Sequence, residues 1–252
     1  MEKVRAKKHL GQHFLVDENI AQKIVNSLKE TQKPLIEIGP GMGVLTKYLI
    51  QKHPDFSVCE IDTESVEYLK EKYPKLNIIE GDFLKLNLQE LYNENIAIIG
   101  NFPYNISSQI MFAVYDNREI VDEVVGMFQK EVAKRLASPP GNKDYGILSV
   151  LLQAHYHIEY LFDVPPGVFS PPPKVNSGVI RLTRKEDFRL DCDERLFKNV
   201  VKATFNQRRK TIRNSIKSLN IDVDKLPDKY LKERPEQLSV ADFMEICQQI
   251  KI

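Results

Sequence analysis

The run Asn101-Phe102-Pro103-Tyr104 places an amide, a rigid carbonyl and a flat phenol within four residues. That set suits an amine whose lone pair is delocalised into a ring and which is a poor nucleophile for that reason. The Asn101 side-chain oxygen and a backbone carbonyl at Pro103 can each accept an N–H of such an amine, favouring a pyramidal nitrogen with its lone pair free to attack. Proline fixes φ and so sets the direction of that carbonyl. Tyr104 offers a face on which a base drawn out of its stack can lie. No strong general base and no metal-ligand spacing accompany the tetrad. An electrophile that arrives already activated requires neither, and positioning then carries the rate, in keeping with effective molarities of about 10⁵–10⁸ M for oriented reactants. The plainer reading is a turn that ends a buried strand, with Phe102 packed inward.

A second cluster lies upstream. Glu37-Ile38-Gly39-Pro40-Gly41-Met42-Gly43 sits at a strand-to-helix junction, where glycines let the backbone turn sharply and approach a ligand closely. Glu60 follows at about the twenty-residue spacing of a carboxylate that accepts from ribose hydroxyls. Asp82, in Gly81-Asp82-Phe83, can bond an adenine ring edge from the same crevice. Each carboxylate also has a plainer reading, Glu60 as a helix cap and Asp82 as a turn residue. A dinucleotide is the sharper rival ligand. The spacing G-x-G-x-G, rather than G-x-G-x-x-G, leans toward S-adenosylmethionine, whose sulfonium methyl is an activated electrophile.

These residues need a scaffold of strands and helices. Residues 17–30 carry Ile20, Ile24, Val25 and Leu28 on one helical face, with Asp17 as N-cap. Strands are expected at LIEIG, FSVCEID, NIIEGD, NIAIIGN and DEVVGMFQ, with helices between them; Thr63 is the candidate cap of TESVEYLKEKY. Such alternation implies parallel βαβ units in a doubly wound sheet. GILSVLLQAHYHIEYLFDV is expected to supply strands six and seven, and VIRLTR a last strand after a proline-studded loop. From about Lys185 the chain reads as helices: DERLFKNVVKATFN, QRRKTIRNSIKSL and SVADFMEICQQIK. The expected domains are residues 1–184, α/β, and residues 185–252, a small helical domain.

Hydrophobic residues at 42% and charged residues at 28% exclude a disordered chain. No apolar run approaches a membrane span, and the basic first residues lack the apolar core of a secretory signal. Cys59, Cys192 and Cys247 are scattered, which argues for a reducing compartment, the cytoplasm by default, and against disulfide or zinc frameworks. The net charge of +1 hides a strong asymmetry. Between Arg195 and Lys217 there are Lys198, Lys202, Arg208, Arg209, Lys210 and Arg213 and no acidic residue; Lys3, Arg5, Lys7 and Lys8 add a basic start. Acidic residues gather elsewhere, between Asp55 and Glu71 and at Asp222, Asp224 and Asp228. Positive faces on a neutral chain suit phosphate binding, although a solvated helix face gives the same pattern.

Assembled, these residues resemble the ribosomal RNA adenine N6,N6-dimethyltransferases that act on the small subunit. The resemblance spans nearly the whole chain: HLGQHFL (9–15), EIGPGMG (37–43), EID (60–62), GDFL (81–84), NFPY (101–104), FSPPPKVNS (169–177) and FNQRRKTIRNS (205–215). It implies a Rossmann-like class I methyltransferase domain with a small C-terminal helical domain, and S-adenosylmethionine as cofactor. It implies cofactor contacts from His13, Leu15, Gly39, Gly41, Glu60, Asp82 and Asn101. It implies amine recognition by Asn101 and Pro103, and stacking by Tyr104 and Phe169. Arg208, Arg209, Lys210, Arg213 and Lys217 are then an RNA-gripping helix. The implied reaction places two methyls on each of two adjacent adenosines in a hairpin near the 3′ end of small-subunit RNA. The implied partner is the immature small subunit, bound by a monomer. His13 stands where Asn is frequent, Phe102 where Leu is usual, a bulkier group beside the base, and Asn176 where Asp is common. Rival readings are the related macrolide-resistance methyltransferases of the large subunit, a DNA adenine methyltransferase (those enzymes typically carry D-P-P-Y), and a ribosome-assembly factor that acts mainly by binding.

Overall fold

The computed structural model describes residues 4–29, 33–53, 56–187, 189–219, 221, 223 and 226–250. Lys3, Glu30, Asp55, Asp222, Asp224 and Lys251, which enter the sequence reading, lie outside the described residues. The chain divides into two compact units, Met1–Ala133 with Ile158–Arg184, and Lys134–His157 with Lys185–Ile252.

The first unit is built on a sheet of β2 (Leu35–Ile38), β3 (Phe56–Glu60), β4 (Asn77–Glu80), β5 (Ile96–Asn101), β6 (Val121–Gln129), β7 (Tyr156–Val164) and β9 (Ser177–Arg184), in the order β4-β3-β2-β5-β6-β9-β7. β2 to β6 run parallel, and β9 lies antiparallel to β6. β2 and β3 are buried at every position, which is why they read as unbroken apolar runs rather than alternating ones. Strand order reverses between β2 and β5, so the crevice beyond their carboxyl ends is the switch point where such sheets bind ligands. The glycine run follows β2, and Asn101 closes β5.

Helices α1 (Glu18–Val25), α2 (Thr46–Leu49), α3 (Thr63–Lys72), α4 (Leu88–Leu91), α5 (Ser107–Asp116) and α6 (Lys130–Leu136) connect the strands. Asp17 caps α1 by accepting from the Ile20 N–H at 2.9 Å, as expected. The cap of α3 is Asp62 and not Thr63: the Asp62 carboxylate accepts from Glu64 N, and Thr63 is the first helical residue. A short antiparallel pair, β1 (Phe14–Leu15) with β8 (Phe169–Ser170), was not anticipated.

Two departures from the sequence reading concern the second unit. Residues 147–155, expected as a strand, form α7 (Ile147–His155). Apolar side chains are buried on most of its surface, so no stripe betrays the helix, and a short buried run is ambiguous by period alone. Its leucines, alanine and glutamine favour helix intrinsically. Accordingly, Lys134–His157 belongs to the helical unit, with α8 (Glu194–Asn206), α9 (Ile212–Ser215), α10 (Asp228–Leu231) and α11 (Val240–Gln249). Tyr145, Phe205 and Phe243 pack in series through its core, the first pair edge-to-face and the second tilted, with ring centroids 6.1 Å apart at each step. The second departure is at residues 207–211, which form a turn between α8 and α9. Arg208, Arg209 and Lys210 thus follow the C-terminus of α8, the negative end of its dipole, instead of repelling one another along a helix.

Candidate active site

A cleft opens at the switch point, lined by residues 10–14, Gly39, Gly41, Glu60, Ile61 and residues 101–104. Of the residues singled out from sequence, His13, Gly39, Gly41, Glu60, Asn101, Pro103 and Tyr104 meet there. The glycine run and the tetrad abut: a Cβ built on Gly39 would lie 3.7 Å from the Pro103 Cδ.

One wall is main chain. Gly39 and Gly41 have φ of +66° and +54°, a left-handed conformation that costs an L side chain roughly 1–2 kcal/mol. At Gly41 a Cβ would also meet the Phe14 ring at 2.7 Å. The Glu60 carboxylate, 4% exposed, accepts from Gly41 N at 3.0 Å through Oε2 and from Ile61 N and Asp62 N, both at 2.9 Å, through Oε1. An ionised carboxylate has about four acceptor sites, so Oε2 keeps one for a ligand hydroxyl. Burial raises the Glu60 pKa despite these three donors. Behind the wall Glu37 is fully enclosed, bonded by Thr46 Oγ1 at 2.6 Å; desolvation pushes it up to about 8.

The facing wall is side chain. Asn101 Nδ2 donates to the His13 carbonyl at 2.9 Å. A carbonyl only accepts, so the amide must turn its NH₂ that way. Its Oδ1 has no protein donor among the described residues. Tyr104 Oη shares a 2.5 Å hydrogen bond with Ser177 Oγ, and the His13 ring lies 5.4 Å from the Tyr104 ring at 33°. Burial raises the Tyr104 pKa. His13 Nδ1 lies 2.8 Å from the Pro171 carbonyl and must carry hydrogen to bond it. The neutral ring then has only an acceptor at Nε2.

Three residues singled out from sequence do not line the cleft. Asp82, one strand over, accepts from Leu84 N at 3.0 Å through Oδ1 and caps a 3-10 turn. Leu15 and Phe169 face each other across β1 and β8 and are buried in the core. Phe102 also departs from expectation: its ring is fully buried, edge-on to Phe128 at 5.1 Å, in space left by Gly100 and Gly126. The bulk that replaces leucine is absorbed by the core and not presented to a base.

Other cleft residues escaped the sequence reading. Phe14 covers Gly41, and Ile61, 53% exposed, leaves an apolar surface beside Glu60. Gln12 Nε2 donates to Asp62 at 3.1 Å, and Lys7 forms an ion pair with the same carboxylate. These tie residues 7–13 to the start of α3. Gly11 is glycine for a reason that only the fold shows: its φ is +65°, and a Cβ there would strike the Asn105 side chain at 2.5 Å.

In the helical unit, Arg209, Lys210 and Lys217 are exposed. Arg208 Nε lies 3.6 Å from Glu236, and Arg213 Nη2 3.7 Å from Asp228. Among the described residues, no helix is long and apolar enough to cross a membrane.

Comparisons with known proteins agree with this geometry. A family model described as "Ribosomal RNA adenine dimethylase" matches residues 3–251. "Ribosomal RNA small subunit methyltransferase A" of Flavobacterium johnsoniae is 58% identical, covering 100% of this chain and 98% of that protein. The protein of the same name from Cytophaga hutchinsonii is 57% identical over 98% of this chain and 97% of its own. Among solved structures, a dimethyladenosine transferase from Plasmodium falciparum superposes with a TM-score of 0.79 at 24% identity, covering 93% of this chain and 96% of that one. The 23S rRNA methyltransferase ErmE gives 0.69 at 24% identity, covering 93% and 99%. At that identity these two similarities speak for the fold, a class I methyltransferase fold, and the family match and close relatives for the lineage: this chain belongs to the ribosomal RNA adenine dimethylase family.

Proposed function

We propose that this protein transfers methyl groups from S-adenosylmethionine to the N6 amines of two adjacent adenosines in a hairpin near the 3′ end of small-subunit ribosomal RNA, and so takes part in small-subunit biogenesis. The observation that carries the reading is the Asn101 amide, with its NH₂ committed to His13 and its oxygen left to the cleft beside Pro103 and Tyr104. Its relatives are named for the small subunit, which favours that substrate over the large subunit.

The cleft fits the cofactor. Gly39 and Gly41 give backbone approach without a Cβ, Glu60 retains an acceptor for a ribose hydroxyl, and Ile61 gives a flat purine an apolar surface. When bound, the sulfonium supplies an electrophilic methyl. Asn101 Oδ1 and the Pro103 carbonyl accept from the adenine amine and turn its lone pair toward that methyl, while Tyr104 holds the ring. Asp82 supports the adenine end from the next strand, and Leu15 and Phe169 back the two walls from the core. Unpaired loop adenines are the least costly to extrude. Arg208, Arg209, Lys210, Arg213 and Lys217 grip phosphates, with an affinity that falls as salt rises. The enzyme acts as a monomer in the cytoplasm.

The test is methyl transfer from labelled cofactor onto undermethylated small subunits, large subunits and duplex DNA. Label is expected in small-subunit RNA as dimethyladenosine. Incorporation confined to large subunits or DNA overturns the substrate.

A further inference from the structure

We propose that Ser177 is a positioning residue for methyl transfer, its hydroxyl holding the Tyr104 ring where that ring forms the stacking wall for the target base. The proposal rests on the reading of Tyr104 as that wall.

Tyr104 sits in the turn after β5, where few backbone bonds restrain it; its carbonyl accepts from Ser107 Oγ at 3.2 Å. The ring needs an outside anchor. Ser177 supplies one at 2.5 Å from a rigid place: it is fully buried, it opens β9, and it pairs with Gln129 across the antiparallel ladder. The preceding carbonyl, of Asn176, accepts from Lys130 N at 2.9 Å, so the strand start is tied on both sides. Tyrosine Oη lies on the axis about which the ring spins. A hydrogen bond there therefore fixes where the ring is without fixing its plane. The plane is set by the neighbouring His13 ring, itself held by the Pro171 carbonyl. One anchor sets position and the other sets tilt.

A double-mutant cycle of Ser177→Ala and Tyr104→Phe tests this, with Tyr104→Ala as control. Each variant removes the same hydrogen bond and keeps the fold's apolar packing. Each should lower kcat on undermethylated small subunits roughly two- to tenfold, the range of one net hydrogen bond. The double variant should lose no more than either single one. Cofactor KM should stay within error of the parent, melting should fall by no more than the loss of one buried hydrogen bond allows, and the kcat loss should persist at temperatures where every variant is fully folded. Additive losses, an unchanged kcat in Ser177→Ala, or a loss confined to cofactor KM or stability would overturn the role of Ser177. Full activity in Tyr104→Ala would instead sink the stacking role of Tyr104.

Discussion

On its Gly39 side the cleft is made of main chain, and on its Tyr104 side of side chains held by other side chains. Gly39, Gly41 and the N–H groups around Glu60 are placed by the strand ends themselves, with partners within about twenty residues. Asn101 and Tyr104 are placed by His13 and Ser177, 88 and 73 residues away in the chain. The first wall forms as soon as the sheet does, whereas the second is complete only when three distant segments have converged. Binding a cofactor and aligning a nucleophile should therefore fail separately under mutation.

Asn101→Ala is the severest way to separate them. It removes an acceptor from the amine and should cut transfer on the order of a hundredfold or more, comparable to losing a preorganised polar group elsewhere. Calorimetry should find cofactor binding partly retained. Full activity in that variant would show the side-chain wall to be idle. Gly41→Ala strikes the opposite wall. Left-handed strain and displacement of Phe14 should weaken cofactor affinity about tenfold or more. A variant with parental cofactor affinity would mean the glycine turn is not the binding surface.

Charge reversal at Arg208 and Arg209 lies off both walls. It should lower RNA affinity severalfold at moderate salt and flatten the dependence of log K on log salt. Cofactor affinity and the melting of the α/β unit should not move. Identical slopes for parent and variant would remove the turn after α8 from the RNA interface.

The smallest effect concerns Glu37. Its pKa rises from 4.5 to about 8 on folding because burial outweighs the Thr46 hydrogen bond. The folded state then binds more protons than the unfolded state between those values, so this contribution to stability is present below 4.5 and is lost as pH rises toward 8. Glu37→Gln should melt with a flatter pH profile across that window. A profile parallel to the parent's would show the carboxyl to be ionised in the fold.

What could be read from sequence follows the same division. Strand-end motifs are contiguous, so the glycine run, Glu60 and the tetrad were legible by spacing, as were the parallel strands by their apolar runs. The anchors that hold the tetrad's side chains were not, because nothing local links His13 to Asn101 or Ser177 to Tyr104. That Phe102 packs inward, the plainer reading of the tetrad, could not be decided from sequence because its neighbours Gly126 and Phe128 come from another strand. Asp82 lies outside the cleft lining, and its Oδ1 caps its own turn, a local bond that the spacing of the strand-end carboxylates did not reveal. The helix α7 was missed because burial around its circumference erased the period that marks an amphipathic one.

The stretch from Lys7 to His13 sets a boundary for anyone handling this protein. Its carbonyl at His13 orients Asn101, its imidazole flanks Tyr104, and its Lys7 and Gln12 latch onto Asp62. Trimming through residue 13 would leave a sheet that still folds around its own core and an enzyme that has lost the orientation of its nucleophile, so a preparation can look intact by melting and be inert.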